Sequence, residues 1–382
     1  MPLNSNYGAA SSLRLHQQIL REEDSIELTV IDMVRPRDAV LKLHYLKVLC
    51  NLGNSYSLPF RLNYDAYSQN LVNYLKFVAS YILFWLNSWA LRRRVTQIAP
   101  DIIHFNSLVL IDLLPWLKHI PQLKDTRFIA HVRELLAVDL DKRQIEMITQ
   151  LDGLICIDHS TKARLLTVVK DQLDPQKITV IPNPFFSPSH YAGKAIPNLN
   201  IHNFIFAIVG KIAEDKGVNF VCEAFLLAGI IDAQLVIVGS GSGIYFQEFL
   251  EIVKQYPQQL IYVGEMPNLA EIGFYTLVDC VVRGDVSFRT GRTVFEGLYA
   301  GTKAIVVGNP CDINYDPHLA KFSDRVLFYP TRDQQQLVEQ MRRAANGKPL
   351  KSGAVNHNFA EYRQQILDFY RIHSRKRISK PV

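Results

Sequence analysis

The chain has 382 residues, of which 48% are hydrophobic and 20% are charged. This composition is typical of a soluble globular protein and excludes disordered, collagen-like and disulfide-stapled miniprotein classes. The length predicts two domains, because one domain usually takes about 100–200 residues. The formal net charge of +6 suits an anionic small ligand or an acidic membrane surface, and it is too small to indicate nucleic-acid binding.

The first half of the chain contains five short apolar runs that predict buried strands. They cover residues 26–34, 100–107, 126–134, 152–160 and 177–185. A helix is predicted over residues 11–20, and no sheet-like run is seen between residues 34 and 100. Residues 184–203 are rich in Pro, Ser, Asn and Gly and are predicted to form a linker.

One segment, from Leu71 to Arg94, is long and apolar enough to raise the question of a membrane helix. Its apolar part, LVNYLKFVASYILFWLNSWAL, would span about 31 Å as a helix, which is the thickness of a bilayer. However, Asn73, Lys76 and Asn87 interrupt it. We therefore favour a helix packed in the core, then a helix lying on an anionic inner-membrane surface with its arginines on lipid phosphates, and last a transmembrane span.

The second half of the chain shows regular alternation of apolar runs and helical stretches. The runs cover residues 204–210, 234–239, 259–264, 279–284, 303–308 and 325–330. Because they are continuously apolar, the predicted sheet is covered on both faces, and the helical intervals predict parallel βαβ crossovers. A final helix is predicted over residues 359–370, before a basic tail.

These elements predict an α/β protein of two doubly wound Rossmann-like domains with parallel sheets and a cleft between them. The N-terminal domain would comprise residues 1–190, joined by a C-terminal helix within residues 357–382, and the C-terminal domain residues 200–356. Ligands of such sheets bind at the carboxyl ends of the strands. The five scattered cysteines and the absence of an apolar leader favour the reducing cytoplasm.

Two segments carry candidate ligand-binding residues. In VGKIAEDKG the strand ends at Gly210, and Lys211 and Lys216 stand beside the next helix, where cations and free N–H groups suit a diphosphate. Two solvated lysines on a loop are the alternative interpretation. In RGDVSFRTGRTVFEG a glycine- and arginine-rich turn precedes a helix that carries Glu296. That carboxylate could accept hydrogen bonds from a ribose, or it could simply face the helix dipole.

Together these stretches resemble the retaining GT-B glycosyltransferases of family four. The matching pieces are GKIAEDKG, LVIVGSGSG and FRTGRTVFEGLYAGTKAIV, preceded in order by PDIIHFNS, FIAHVRE, GLICIDHSTKARL and KITVIPNPF. The resemblance covers most of the chain and implies a hexosyltransferase that moves a sugar from a nucleotide diphosphate with retention and without a metal. The donor is then a substrate, and no cofactor is expected.

The resemblance also implies roles for individual residues. His131 would lie near the donor sugar, Lys211 and Lys216 at the diphosphate, and Glu296 at the ribose. The catalytic candidates are His131 and Glu296, and an acceptor-side group comprises Asn6, Gly8, Asn106 and Arg133. The donor-binding candidates are Gly210, Lys211, Lys216, Gly239, Asp285, Arg289, Thr290, Gly291, Arg292 and Glu296. From the residues alone, His131 is more often structural, and His104 and His159 would serve equally well.

Three features qualify the resemblance. Phe288 stands where the family has its first glutamate, so Asp285, Arg289 or the backbone at Thr290 and Gly291 would have to replace that carboxylate. Asp139-Leu140-Asp141 imitates a metal-binding D-x-D motif, but helix capping explains it better. Finally, only five residues precede the turn-like NYGAA at residues 6–10, so we expect either a natural start upstream or a copy lacking its first strand.

The predicted function is sugar transfer from a nucleotide-diphosphate donor to a glycan or lipid-linked acceptor in bacterial surface polysaccharide synthesis, such as lipopolysaccharide or capsule. The expected partners are a nucleotide sugar and that acceptor, and no nucleic acid. The expected location is the cytoplasm, with peripheral contact at the membrane as the alternative. Two other functions stay open: a nucleotide-sugar epimerase on the same fold, and a non-catalytic nucleotide-sugar-binding relative.

Overall fold

A computed structural model describes residues 8–24, 26–29, 32–34, 57–59, 91–133, 136, 140, 142–286, 290–311, 315–346 and 357–374. The chain divides into two compact units. Unit 1 comprises Met1–Ile181 and Tyr362–Val382, and unit 2 comprises Pro182–Glu361. The two units are described separately below.

The described residues contain strands and helices that alternate along most of the chain. The strands are β1 (Asp32–Val34), β2 (Ser57–Pro59), β3 (Ile102–Phe105), β4 (Arg127–Val132), β5 (Gly153–Cys156), β6 (Ile178–Val180), β7 (Phe204–Val209), β8 (Ala233–Val238), β9 (Leu260–Gly264), β10 (Cys280–Val282), β11 (Lys303–Val307) and β12 (Val326–Tyr329). The helices are α1 (Gly8–Arg21), α2 (Leu114–Lys118), α3 (Lys142–Thr149), α4 (His159–Val169), α5 (Val218–Ala228), α6 (Ile244–Gln255), α7 (Arg292–Tyr299), α8 (Gln334–Asn346) and α9 (Phe359–His373). Short 3₁₀ helices cover Leu108–Leu113, Pro121–Leu123, Lys170–Gln172, Pro175–Lys177, Glu214–Lys216, Phe274–Thr276 and Pro317–Phe322.

The strands form parallel sheets in both units, which confirms the predicted α/β class. Unit 1 has a four-stranded sheet in the order β3-β4-β5-β6 and a separate parallel pair, β1-β2. Unit 2 has a six-stranded sheet in the order β12-β11-β10-β7-β8-β9. The strand order reverses between β7 and β10, and such a switch point opens a crevice at the carboxyl ends of the strands.

The unit 2 sheet is buried on both faces, as its continuous apolar runs predict. Along β7, Phe206 and Ile208 pack with α5 and α8 on one face, whereas Ile205 and Ala207 pack with α7 on the other. Successive side chains of a strand point to opposite faces, so two covered faces require an uninterrupted apolar run. The sequence pattern and the packing therefore agree strand by strand in this unit.

Unit 1 differs from the sequence prediction in three places. Of the described residues in the predicted strand at residues 26–34, Asp32–Val34 form β1, whereas residues 26–29 are irregular. Strand β2 lies in a region where we expected no sheet-like run. The sequence does not reveal it because a strand of three residues is too short to show an apolar pattern. Gly8, predicted to lie in an N-terminal loop, is instead the first residue of α1, where Ala9 and Ala10 favour a helix.

Only the end of the segment from Leu71 to Arg94 is described. Residues 91–98 are helical, and Leu91 and Val95 pack in the core of unit 1 beside exposed Arg92 and Arg93. This end of the segment agrees with a core-packed helix, while residues 71–90 lie outside the described residues, as does Asn6. Among the helices that are described, none combines the length and apolar character needed to cross a bilayer.

The second face of the unit 1 sheet carries a buried polar group, here called the His–Tyr cluster. It consists of His16 from α1, His104 from β3, His131 from β4, and Tyr362 and Tyr370 from α9. Hydrogen bonds of 2.7 Å join His16 to Tyr362, His104 to Tyr370, and His104 to His131, and one of 3.2 Å joins Tyr370 to His16. The helices α1 and α9 therefore attach to the sheet through polar contacts as well as apolar ones.

The histidines of this cluster are held neutral. Burial is the main cause that lowers the pKa of each ring, and the positive charge of Arg133 lowers it further. The pKa of His16 falls to about 3 from an ordinary value of 6.5, and those of His104 and His131 fall well below that value. A buried imidazole without a carboxylate partner cannot offset the cost of desolvating its charged form.

In unit 2, the loops that follow β7 and β10 meet at two glycines. Gly217 has φ +58°, and a Cβ there would lie 2.0 Å from the carbonyl oxygen of Gly284. A Cβ on Gly284 would in turn lie 2.6 Å from the carbonyl oxygen of Gly217. The backbone of Val286 also donates to the carbonyl of Asp215 at 3.3 Å. The two loops at the switch point are thus fixed against each other.

We expect Gly217→Ala to destabilise unit 2 more than Gly229→Ala does. Gly229 ends α5 with the same φ of +58° but has no atom within 4 Å of an added Cβ, so it is a matched control for backbone strain alone. Gly229→Ala should cost about 1 kcal/mol, and Gly217→Ala about 1–3 kcal/mol more from the steric overlap. Urea unfolding of both variants measures the difference, and equal losses of stability would contradict the contact.

We also expect the free energy of unfolding to fall when the pH is lowered from about 6.5 towards 3. The unfolded chain protonates His16 near pH 6.5, whereas the folded protein does so only near pH 3, so acid favours the unfolded chain across this range. Each such histidine contributes a slope of up to about 1.4 kcal/mol per pH unit. His16→Gln should reduce the slope by about that amount in urea unfolding at several pH values. An unchanged slope in His16→Gln would refute the neutral assignment.

Candidate functional site

The carboxyl end of β7 is built from glycines that bring backbone close to backbone. Gly210 has φ +148° and open space around the position of a Cβ. Gly239, after β8, has φ +147°, and a Cβ there would lie 1.8 Å from the carbonyl oxygen of Gly210. Lys211 follows and is exposed. Close approach of the β7 and β8 ends therefore explains Gly239, whereas Gly210 is explained by its positive φ.

Lys216 is anchored at the switch point by Asp285, which follows β10. The Nζ of Lys216 lies 3.0 Å from Oδ1 of Asp285 and 3.2 Å from Oδ2 of Asp215. Arg283 also binds Asp285, with its Nε 2.7 Å from Oδ2 and its NH2 nitrogen 3.0 Å from Oδ1. Asp285 is buried, so its charge requires partners, and two cations provide them. The carboxylate thereby fixes both cations in place.

The N-terminus of α7 lies beside the same arginine. Gly291 precedes the helix with φ +73°, and a Cβ there would lie 3.5 Å from the guanidinium of Arg283. That guanidinium also donates to Oγ1 of Thr293 at 3.2 Å. Thr290 is 5% exposed, and its Oγ1 has no hydrogen-bond partner among the residues that the structure describes. A buried hydroxyl without a partner is costly, and a ligand oxygen would satisfy it.

Glu296 lies in the second turn of α7, as predicted, and is buried. Its Oε1 accepts from Nε of Arg292, and its Oε2 accepts from the hydroxyl of Tyr275 at 2.9 Å. Burial raises the pKa of Tyr275 well above its ordinary value, and the adjacent carboxylate raises it further. Tyr275 therefore stays protonated and donates to Glu296. Arg292, which we expected to face an anion, is turned along its own helix towards Glu296 and lies over the ring of Phe185 at 5.4 Å.

These groups form one electrostatic unit at the carboxyl edge of the sheet. Three cationic side chains (Lys216, Arg283 and Arg292) meet two buried carboxylates (Asp285 and Glu296), and Asp215 is exposed to water. The buried carboxylates organise the cations, and the N-terminus of α7 adds a partial positive charge. Such an arrangement can bind an anionic group with several oxygens, such as a diphosphate.

The unit 1 candidates contact each other or the His–Tyr cluster. His131, on β4 one residue before its end, is 1% exposed and its Nδ1 bonds to Nε2 of His104. Arg133 follows the strand and donates to both the backbone oxygen and Oδ1 of Asn106 at 2.8 Å. His159, an equal candidate by sequence, begins α4 away from these contacts. The structure thus groups His131 with His104, whereas it pairs Arg133 with Asn106.

Three residues at the unit 2 site were missed as functional candidates. Arg283 was considered only as part of the apolar run at residues 279–284. Tyr275, which donates to Glu296, lies in an unremarkable loop sequence, and Tyr329 of β12 donates to the backbone oxygen of Arg283 at 2.7 Å. The signal for Arg283 was its position directly after β10 beside the switch point, where ligands bind. Tyr275 and Tyr329 carry no sequence signal, since only the folded sheet brings them to the site.

Some candidates lie outside the described residues: Arg289, Phe288, Asp139 and Asp141. Within the described part of the chain, no three His, Cys, Asp or Glu side chains are grouped as metal ligands would be. Four described cysteines, Cys156, Cys222, Cys280 and Cys311, are unpaired thiols, and only Cys311 is exposed.

Sequence comparison relates part of the chain to glycogen synthases. No protein-family model matches it. The glycogen synthase of Francisella tularensis subsp. novicida strain U112 is 27% identical over 191 residues, and the same identity is found with that of subsp. tularensis strain WY96-3418. The match covers 46% of this chain but only 38% of either synthase. The chain thus matches well under half the length of these curated relatives.

Comparison with solved structures covers nearly the whole chain. Sucrose-phosphate synthase from Thermosynechococcus elongatus superimposes with a TM-score of 0.67 at 17% identity, over 96% of this chain and 93% of that one. HepE of Anabaena, solved with UDP and glucose, gives a TM-score of 0.58 at 11% identity, over 90% and 99%. A glycosyltransferase from Rickettsia africae gives 0.59 at 14%, over 91% and 98%. Together with its two parallel sheets, these likenesses show that the chain has the GT-B glycosyltransferase fold.

Proposed function

We propose that this protein is a nucleotide-sugar-dependent glycosyltransferase. The observation that carries the proposal is the group of cations at the switch point of unit 2, where Lys216 is fixed by buried Asp285 next to the N-terminus of α7. A diphosphate at this edge would meet Lys216, the N–H groups at the start of the helix and the hydroxyl of Thr290, which has no partner among the described residues. The partial sequence match to glycogen synthases supports the same chemistry.

Glu296 is the candidate for the ribose of the donor nucleotide. A carboxylate has about four lone-pair sites, and two are used by Arg292 and Tyr275, so each oxygen can accept one more hydrogen bond. Because Arg292 and Tyr275 both bind the carboxylate of Glu296, the orientation of that side chain is set before a ligand binds. A side chain that is already ordered loses less conformational entropy on binding, which increases the affinity for a diol.

The chemical step we propose is transfer of a hexosyl group with retention, in the manner of family four enzymes and without a metal. The protein contributes by stabilising the departing diphosphate through Lys216, Lys211 and the α7 N-terminus, since negative charge develops there in the transition state. No described side chain is assigned as a covalent nucleophile. His131 is proposed to serve as a hydrogen-bonding group towards the donor substrate.

We propose a glycan or lipid-linked acceptor in bacterial surface polysaccharide synthesis, and a cytoplasmic protein that reaches the membrane face peripherally. The supporting feature is the aromatic and basic segment from Leu71 to Arg94, whose arginine end exposes Arg92 and Arg93. Exposed arginines beside an aromatic stretch suit lipid phosphates. Binding to vesicles with and without anionic lipid would decide between this surface and a purely structural role for the segment.

Nucleotide binding is the first test of the function. A calorimetric and thermal-shift panel of UDP, ADP, GDP and their sugars should give one nucleotide that stabilises the protein by about 2.7 kcal/mol at 100 times its dissociation constant. Lys216→Gln should weaken that nucleotide about tenfold to a hundredfold, because a charge-assisted contact to phosphate is lost. The matched control is Lys254→Gln on the exposed face of α6, which should bind as the parent does.

The outcomes separate the three candidate functions. No response to any nucleotide, or equal binding by Lys216→Gln and Lys254→Gln, would count against the proposed site. Turnover of the nucleotide sugar without an acceptor would identify an epimerase. Binding without any transfer would identify a non-catalytic relative, which Phe288 in place of the family's first glutamate favours.

Thr290→Val provides an independent test of the diphosphate position. Valine has the shape of threonine but lacks the buried hydroxyl that has no described partner, so the free protein should be as stable as the parent or slightly more stable. Nucleotide affinity should nevertheless fall about fivefold to tenfold, since one hydrogen bond to the ligand is worth about 1 kcal/mol. Unfolding and calorimetry measure the two effects. A loss of stability with unchanged affinity would show that the hydroxyl serves the fold.

A further inference from the structure

The five side chains of the His–Tyr cluster form one unbranched series of hydrogen bonds. It runs from Oη of Tyr362 to Nδ1 of His16, from Nε2 of His16 to Oη of Tyr370, from Oη of Tyr370 to Nδ1 of His104, and from Nε2 of His104 to Nδ1 of His131. Each internal group uses two different atoms or lone pairs for its two neighbours. The series therefore links α9, α1, β3 and β4 within unit 1 and ends at Nε2 of His131.

Neutrality of the rings makes this series directional. A neutral imidazole has one N–H and one bare nitrogen, so each histidine donates on one side and accepts on the other. A tyrosine hydroxyl bonded to two imidazoles likewise donates to one of them and accepts from the other. Hence all the hydrogens point the same way, and two arrangements exist. In one, Nε2 of His131 carries a hydrogen, and in the other it is bare.

Two observations select the arrangement that begins with Tyr362 as donor. First, within the described residues Oη of Tyr362 has one hydrogen-bond partner, Nδ1 of His16, and the residue is 1% exposed. If His16 donated to it, the buried hydroxyl hydrogen of Tyr362 would lack an acceptor, and such a donor costs about 1–3 kcal/mol. The donating arrangement leaves no hydrogen unpaired at that end. Nε2 of His131 has no partner among the described residues in either arrangement, so the comparison rests on the hydroxyl of Tyr362.

Second, the bond lengths around Tyr370 fit the same direction. Its hydroxyl lies 2.7 Å from Nδ1 of His104 and 3.2 Å from Nε2 of His16. Hydrogen bonds from an N–H to an oxygen extend to about 3.2 Å, whereas a hydroxyl that donates to an oxygen seldom lies beyond about 3.0 Å from it, so the longer contact suits His16 as the donor. Tyr370 therefore donates to His104 and accepts from His16, which makes His104 the donor to Nδ1 of His131.

We propose that the His–Tyr cluster fixes His131 as the neutral tautomer with its hydrogen on Nε2, so that His131 is a hydrogen-bond donor and not a base. His16, His104, Tyr362 and Tyr370 are then positioning residues that act through His131. The assignment of His131 to the donor substrate rests on the proposed function, whereas its tautomer does not. The ligand group that suits this N–H is an oxygen of a sugar hydroxyl or of a phosphate.

The decisive experiment removes the hydroxyl at the far end of the series. Tyr362→Phe leaves the contacts of His131 itself unchanged but removes the donor that sets the direction. The tautomers of ¹⁵N-labelled histidines are then measured by long-range ¹H–¹⁵N spectra, with His131 assigned from the spectrum of His131→Gln. The parent should show hydrogen on Nε2 of His131, and Tyr362→Phe should show a mixture of both tautomers.

Tyr370→Phe interrupts the series in its middle and should give a similar mixture of tautomers at His131. This second variant keeps the test valid if Tyr362→Phe alters the fold locally. The matched control is Tyr299→Phe in unit 2, where a buried tyrosine hydroxyl also bonds a histidine, 3.1 Å from Nε2 of His318. It should leave His131 unchanged. An unaltered Nε2–H signal in both Tyr362→Phe and Tyr370→Phe, with the fold intact by circular dichroism, would overturn the proposal.

Kinetics separate positioning from structure. If both tautomers become equally populated, half of the molecules lose the donor, and kcat should fall about twofold in Tyr362→Phe with the nucleotide dissociation constant unchanged. His104→Leu should reduce kcat about tenfold or more, while His104→Gln, whose amide can donate to Nδ1 of His131, should restore most of it. Equal kcat for His104→Leu and His104→Gln would overturn the positioning role. If no transfer is found at all, the proposed function fails, and the spectra still decide the tautomer.

Discussion

Burial of the sheets in both units makes it costly to leave an enclosed polar side chain without a partner inside the protein. A parallel sheet is covered on both faces, so a charge or a hydrogen-bonding group placed there loses water completely. The cost of leaving such a group unpaired is comparable to a large part of the net stability of a domain. The candidate residues of both units have the contacts they do because this constraint must be met.

The two units meet the constraint in different ways. In unit 2, Asp285 and Glu296 remain buried near cations, and each oxygen of these carboxylates accepts a bond from Lys216, Arg283, Arg292 or a tyrosine. In unit 1, no carboxylate enters the His–Tyr cluster, Arg133 lies nearby, and the rings stay neutral. The ion pairs of unit 2 suit recognition of an anion. The neutral hydrogen-bonded rings of unit 1 suit a single N–H donor in a fixed position.

The sequence predicted the sheet of unit 2 well because burial on two faces leaves continuous apolar runs. It also offered Lys216, Asp285 and Glu296 as candidates, since each follows a recognisable strand or helix start, and their roles stay predictions. It could not predict β2, which is too short for a pattern, nor the helical state of Gly8. The His–Tyr cluster was the hardest feature to predict from the sequence. Tyr362 lies 346 positions from His16, and no periodicity links residues that meet only through tertiary packing.

Asp285 illustrates why contacts decide between roles that a sequence leaves open. In the sequence, Asp285 was a candidate to replace the family's first glutamate, whose position Phe288 occupies. Its Oδ1 accepts from Lys216 and Arg283, and its Oδ2 from Arg283, so its hydrogen-bonding capacity is largely used by cations. An anion at this edge would therefore meet the cations that Asp285 holds in place, Lys216 and Arg283, and not the carboxylate itself.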